Sequence, residues 1–256
     1  MKGILIPIPA YGFDPTETAI PWKILSENKF PVFFATPSGE KATGDRIMLT
    51  GEKLGPLKKL LQARYEAVAA YSEMERSKEF EKPLRYDDIM ENDFDALLLP
   101  GGHDKGVKEY LESKILQQQV TCFFKARKPV AAICHGVVLV ARSIDPVTQK
   151  SVLHDYKTTS LLSSQERLAY RLTQPWLKDY YLTYPGMTVE AEATSVLREK
   201  KNFRRGPVPL LRDDFNHLNR GFTVVDRNYI SARWPGDVYN FALEFMKILD
   251  SKFKQL

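Results

Sequence analysis

The sequence predicts an α/β fold, a three-layer sandwich whose mainly parallel central sheet carries helices on both faces, with a small helical cap. Three observations predict it. Short apolar runs recur at 3–8, 31–36, 94–100 and 129–133. Helix-prone segments separate most of them, the alternation that parallel strands require. Two of the runs end in small-residue turns, Gly101-Gly102 and Cys134-His135-Gly136, at the strand edge where open α/β sheets bind ligands. The 256 residues suffice to bury a core without disulfides or structural metals. No Pro/Ser-rich linker divides them. We therefore read one domain over 1–256, with insertions at about 52–91 and 176–220 building a cap over the cleft.

The elements follow in order. Residues 3–8 read as a buried strand. Asp14 then suits a helix N-cap, Pro15 the first helical position and Glu17 the reciprocal capping partner three residues on. That helix runs to about residue 28, and 31–36 forms the second strand. The segment 53–91 is charged and helix-prone, an inserted helical stretch. Residues 94–100 return to a strand, 107–126 to a helix and 129–133 to a strand, and 136–142 open another helix. After Asp145 the pattern weakens. Residues 161–170 and 176–181 look helical, 188–196 fit a strand or a short helix, and 203–215 fit a long loop. Residues 222–225 and 229–232 read as strands around the turn Asp226-Arg227-Asn228. Pro235-Gly236-Asp237 start a last helix to about residue 252.

Composition excludes several function classes. Lys plus Arg is 37 and Asp plus Glu is 32, a net charge of +5, spread without the dense stripe of a nucleic-acid binder. No apolar run approaches the ~18 residues of a membrane span, and Pro7 and Pro9 interrupt the first run. Neither nucleic acid nor membrane is expected as a partner, and the expected compartment is the cytoplasm, with free thiols. Two cysteines exclude a disulfide-rich scaffold. His103, Asp104 and Glu109 match no zinc spacing, and no Gly-Lys-Ser/Thr follows Gly101-Gly102. No metal or other cofactor is expected.

Three features carry chemistry. In Ala131-Ala132-Ile133-Cys134-His135-Gly136 a buried strand runs through a tight turn into a helix, a nucleophile-elbow arrangement with Cys in place of Ser. The helix N-terminus would favour the Cys134 thiolate, although a free cysteine is equally at home in a core. Cys122 lies mid-helix and reads as structural. Gly101 and Gly102 can turn backbone N–H groups into the cleft, as in an oxyanion hole, or simply make a turn. Glu17 caps a helix that Pro21 makes irregular, because Pro21 cannot bond the Glu17 carbonyl.

Together, Cys134-His135-Gly136, Pro100-Gly101-Gly102-His103 and Glu17-Thr18-Ala19-Ile20-Pro21 resemble the ThiJ/PfpI (DJ-1-like) superfamily. The resemblance spans the core to Arg142 and then 231–249, and is greatest to the heat-shock-protein-31-like branch. It implies a flavodoxin-like, class I glutamine amidotransferase-like fold. It implies Cys134 as nucleophile and Glu17 as the acid that hydrogen-bonds the cysteine and shuttles protons. It places the oxyanion site at Gly102 and the His135 backbone, next to Gly101, with His103 at the pocket. His135 matches members with a Cys-His-acid triad; Glu166 is the candidate acid, and Asp155 and Asp145 remain alternatives. The implied activity is a glutathione-independent glyoxalase (glyoxalase III), a lyase acting on small carbonyl substrates such as methylglyoxal without a cofactor. The same constellation serves a cysteine aminopeptidase or amidase. An exposed, low-pKa Cys134 or an apolar patch on the insertion would instead suit a redox sensor or stress chaperone. A homodimer is implied by the resemblance alone.

Overall fold

The computed structural model describes residues 2–253, so residues 1 and 254–256 of the expected domain lie outside it. The elements are β1 (Ile4–Pro7), β2 (Tyr11–Phe13), α1 (Pro15–Glu27), β3 (Val32–Thr36), β4 (Thr43–Gly44), α2 (Arg46–Thr50), α3 (Lys58–Leu61), α4 (Tyr65–Met74), α5 (Lys78–Glu81), β5 (Leu84–Arg85), β6 (Ala96–Leu99), α6 (Val107–Glu112), α7 (Lys114–Lys125), β7 (Val130–Ile133), α8 (Gly136–Arg142), α9 (Ser163–Leu177), α10 (Val189–Ser195), β8 (Thr223–Asp226), β9 (Tyr229–Ala232) and α11 (Val238–Phe253). A seven-stranded sheet runs β5-β3-β1-β6-β7-β9-β8. Every pairing in it is parallel except β8 with β9. Strands β1, β6, β7 and β9 are buried at every position. That explains their unbroken apolar runs, because both faces of a parallel sheet are covered. Helix α1 packs with α4 and α11, and α8 packs with α6, α7 and α10, giving the two helical layers. No helix among the described residues is long and apolar enough to cross a membrane.

Local chemistry explains where the elements depart from expectation. Asp14 does cap α1, accepting from the Thr16 and Glu17 N–H groups at 2.8 and 3.0 Å. Glu17 does not return the bond; its carboxyl turns to Gly101 instead. The helix expected over 107–126 breaks at Ser113, whose side chain caps α7. The inserted segment contributes a strand as well as helices, since β5 pairs with β3 at the sheet edge. The stretch 163–177 is one helix that contains Pro175 and ends at Lys178, in left-handed backbone at φ 54°. Residues 178–181 therefore leave the helix expected there. The segment 188–196 is helical, started by the Thr188 side chain.

Candidate active site

Strand β7 delivers Cys134 to the turn before α8 at φ 57°, a left-handed conformation that costs a non-glycine residue on the order of 1–3 kcal/mol. The surroundings hold it there. The Cys134 N–H donates to the Ala232 carbonyl at 3.1 Å. At Gly136 a Cβ would lie 2.1 Å from the Leu99 carbonyl oxygen, so only glycine lets α8 start against the end of β6. The chain thus forms the expected elbow.

Glu17, in the first turn of α1, is fully buried. Its Oε2 accepts from the Gly101 N–H at 2.9 Å. Its Oε1 makes no aligned hydrogen bond among the described residues, although the Cys134 thiol is close enough to interact with the carboxyl. Burial, and then the Asp14 charge, push Glu17 well above the usual carboxylate range. Burial, and then the Glu17 and Asp14 charges, push the Cys134 thiol up as well. Burial lowers His135 far below its usual value, with His103 and Lys105 adding to the effect. Burial thus favours the uncharged form of all three groups, the carboxyl, the thiol and the imidazole. The exposed, low-pKa cysteine considered from the sequence is corrected: Cys134 is fully buried, and desolvation outweighs the pull of the helix N-terminus.

His135 Nδ1 lies 3.4 Å from the Cys134 sulfur. Its Nε2 lies 2.9 Å from Thr183 Oγ1, and Thr183 Oγ1 donates to the His103 carbonyl at 3.5 Å. In the tautomer with its proton on Nε2, His135 donates to Thr183 and turns an Nδ1 lone pair toward the sulfur. His103 stands edge-on to His135 with ring centroids 5.1 Å apart, and to Tyr181 at 4.9 Å. Burial, and then Lys105, lower it to about 4. One ligand atom from each of His103, Cys134 and His135 lies within 4.8 Å of the others.

The structure thus brings Cys134, His135, Glu17, Gly101 and His103 together, and two expected roles are corrected. Glu166 does not face His135. It accepts from the Val189 N–H at 3.0 Å, at the start of α10, while both His135 nitrogens have other neighbours. The alternatives fare no better: Asp155 pairs with Arg198 and Asp145 with Lys125. The Gly101 N–H is spent on Glu17 and is not free for an oxyanion; Gly102 remains beside it.

Sequence reasoning missed Thr183 and the two tyrosines before it. All three lie in the segment 178–184, the least patterned part of the chain. Long-range contacts hold that segment. Lys105 donates to the Asp179 carbonyl at 2.8 Å and to the Leu182 carbonyl. The Tyr180 hydroxyl donates to Asp45 in a short buried bond. No local signal could have shown these partners, which lie between 74 and 135 residues away.

With the geometry established, comparison with known proteins is informative. A family model described as ThiJ/PfpI family-like matches residues 8–207. An uncharacterized protein of Schizosaccharomyces pombe is 28% identical over 180 residues, 66% of each chain; the match spans just under two thirds of that relative. The deglycase PfpI of Pyrococcus furiosus is 25% identical over 166 residues, 65% of this chain and 69% of that one. Among solved structures, glyoxalase III of Candida albicans superposes with a TM-score of 0.66 at 17% identity, covering 96% of both chains. Rapid Encystment Protein 24 KDa of Francisella tularensis superposes with a TM-score of 0.72 at 14% identity, covering 97% of this chain and 99% of that one. At these identities the superpositions show a shared fold.

Proposed function

The chain belongs to the ThiJ/PfpI-like family, and on that premise we propose that it converts small 2-oxoaldehydes to 2-hydroxy acids without glutathione, with Cys134 as nucleophile. The observation that carries this reading is a fully buried carboxyl, held by the Gly101 N–H, beside the fully buried Cys134 thiol. A carboxyl so placed, and raised above its usual range, is suited to give a proton and take one back.

The steps balance without a cofactor. The Cys134 sulfur adds to the aldehyde carbon, its proton passes to His135 Nδ1, and Glu17 protonates the aldehyde oxygen. A hemithioacetal results. The Glu17 carboxylate then removes the proton on that carbon while His135 gives its proton to the neighbouring carbonyl oxygen, forming an enediol. Glu17 next protonates the neighbouring carbon and takes back the hydroxyl proton of the sulfur-bearing carbon, which restores the neutral imidazole and the protonated carboxyl. The product is a thioester. Water hydrolyses it, releasing the 2-hydroxy acid and the thiol. By resemblance to the family, the Gly102 and His135 N–H groups are the donors to the carbonyl oxygen. General acid–base help of this kind supplies roughly 10²–10⁴-fold.

The His135 environment favours this reading over a peptidase. An acyl-transfer triad needs a carboxylate behind the imidazole to stabilise the imidazolium. Here a threonine hydroxyl occupies that place. The Candida neighbour's name supports the glyoxalase reading. The archaeal relatives named deglycases support a second one, in which the same thiol acts on carbonyl adducts of amines.

The test uses purified protein and methylglyoxal without glutathione, following lactate. Wild type is expected to produce lactate. Cys134→Ser and Glu17→Gln are each expected to lose at least ~10²-fold, the size of an acid–base contribution. Lactate from Cys134→Ser at the wild-type rate would refute the mechanism.

A further inference from the structure

We propose that His103, Cys134 and His135 form a binding site for a divalent cation of the zinc class, and that occupancy reversibly blocks the thiol chemistry of Cys134. The blocking half rests on the nucleophile reading above; the site itself does not.

Four observations carry the proposal. The first is distance. One donor atom from each residue lies within 4.8 Å of the others, and Cys134 Sγ is 3.4 Å from His135 Nδ1. Zinc–sulfur and zinc–nitrogen bonds of about 2.3 and 2.0–2.1 Å at a tetrahedral angle place such a pair roughly 3.5 Å apart. The sulfur–nitrogen edge already has the spacing of a metal site.

The second is the direction of the lone pairs. His135 Nδ1 faces the sulfur, and with Thr183 accepting from Nε2–H that nitrogen carries a lone pair. A polar group behind a ligating imidazole is the usual way a metal site fixes ring orientation and tautomer.

The third is an unmet need. His103 Nδ1 is buried with no hydrogen-bond partner among the described residues, on a side chain that is only 9% exposed. Buried polar atoms are rarely left so, and each exception calls for an explanation. The proposed mechanism gives the His103 ring no task; a cation does.

The fourth is donor chemistry. Two imidazoles and a thiolate favour zinc, cobalt or copper over magnesium or calcium, which prefer oxygen. Burial keeps both imidazoles neutral, the state that ligates. Three protein ligands leave a fourth position for water or chloride, as in zinc sites that keep one position open.

Binding is a proton exchange and not a redox step. The cation takes the Cys134 sulfur, the thiol proton leaves to solvent, and the imidazoles contribute lone pairs. One proton is released for each ion bound, so affinity rises about tenfold per pH unit while the free thiol stays protonated.

The experiment titrates reduced, full-length protein with Co²⁺, reading the thiolate-to-cobalt charge-transfer band and the visible bands of four-coordinate cobalt. Zn²⁺ then competes. The expected result is one ion per chain, loss of the charge-transfer band in Cys134→Ser, and at least ~10-fold weaker binding in His103→Gln, as ligand-sphere changes produce. Thr183→Val gives a second reading if the His103 variant does not fold: it retains all three ligands and is expected to bind roughly 10-fold more weakly. No charge-transfer band in the wild type, or affinity unchanged in His103→Gln, overturns the site. The readout needs no turnover, so the two readings fail separately. A cobalt band in a protein that makes no lactate keeps the site and removes the glyoxalase reading. Lactate production with no band does the reverse. If both hold, Zn²⁺ suppresses lactate formation and a chelator restores it.

Discussion

Two regions meet at Cys134, and different forces hold them. The ends of β6 and β7 are sheet: fully buried, hydrogen-bonded in register, and packed against α8 so closely that a single Cβ at Gly136 would collide with backbone. The segment 178–184 has no regular structure. Side-chain bonds from Lys105, Asp45 and His135 anchor it. The first region places Cys134 and Glu17's partner. The second supplies the polar partner of His135 Nε2. The difference teaches that positioning here depends on rigid backbone and tuning on a few polar contacts, so the two should fail in different ways.

The largest effect is expected where backbone meets backbone. Gly136→Ala forces a Cβ against the Leu99 carbonyl, and neither side can give by rotating a side chain. Denaturant unfolding should show a loss at or above the top of the ~1–3 kcal/mol range for overpacking, with Cys134 displaced. A variant as stable as wild type would mean that the elbow is not rigid.

A smaller and different loss is expected at Thr183. Thr183→Val leaves His135 Nε2 buried without its hydrogen-bond partner, costing about 1–3 kcal/mol, and frees the ring to turn. Lactate formation should fall ~10–100-fold while the fold, followed by circular dichroism, survives. Thr183→Asp sharpens the comparison, since it supplies the carboxylate a triad would use. If it creates aminopeptidase activity, the hydroxyl is what separates the two chemistries.

The smallest effect on turnover is expected at Glu166, which the structure places away from His135. Glu166→Gln keeps an acceptor for the Val189 N–H and should leave lactate formation unchanged. Its signature lies in stability. Burial raises Glu166 from 4.5 to about 7, so the folded state holds a proton that the unfolded chain releases. That share of stability is present below about 4.5 and is lost as pH rises through about 7. The variant should flatten the wild-type fall in melting temperature between pH 5 and 8. His103 works in the opposite sense. It is lowered from 6.5 to about 4, so its share is present above 6.5 and is lost as pH falls toward 4. A Glu166→Gln variant whose melting temperature follows the wild-type pH profile from 5 to 8 would contradict the Glu166 assignment.

The same contrast explains what could be read in advance. Apolar runs marked the core strands because burial on both sheet faces leaves little room for polar residues. The Cys134 elbow and the Asp14 cap are local: the residues that require the conformation are within three positions of those that adopt it. The hairpin of β8 and β9 was legible for the same reason. Glu17 was found by its place after the first strand, yet its capping role was misassigned, because the Gly101 N–H that captures its carboxyl is 84 residues away. Glu166 suited a triad acid in sequence order alone, and sequence order carries no information about which way a side chain on α9 points.

The sequence by itself determined the core strands and the elbow, since hydrophobic periodicity and tight-turn chemistry act over a few residues. The tertiary structure alone decided the protonation of the site. Burial shifts the Cys134, Glu17 and His135 equilibria, and Thr183 reaches His135 Nε2 across 48 residues. Desolvation and long-range hydrogen bonds depend on what the folded chain brings together, and no local pattern encodes them.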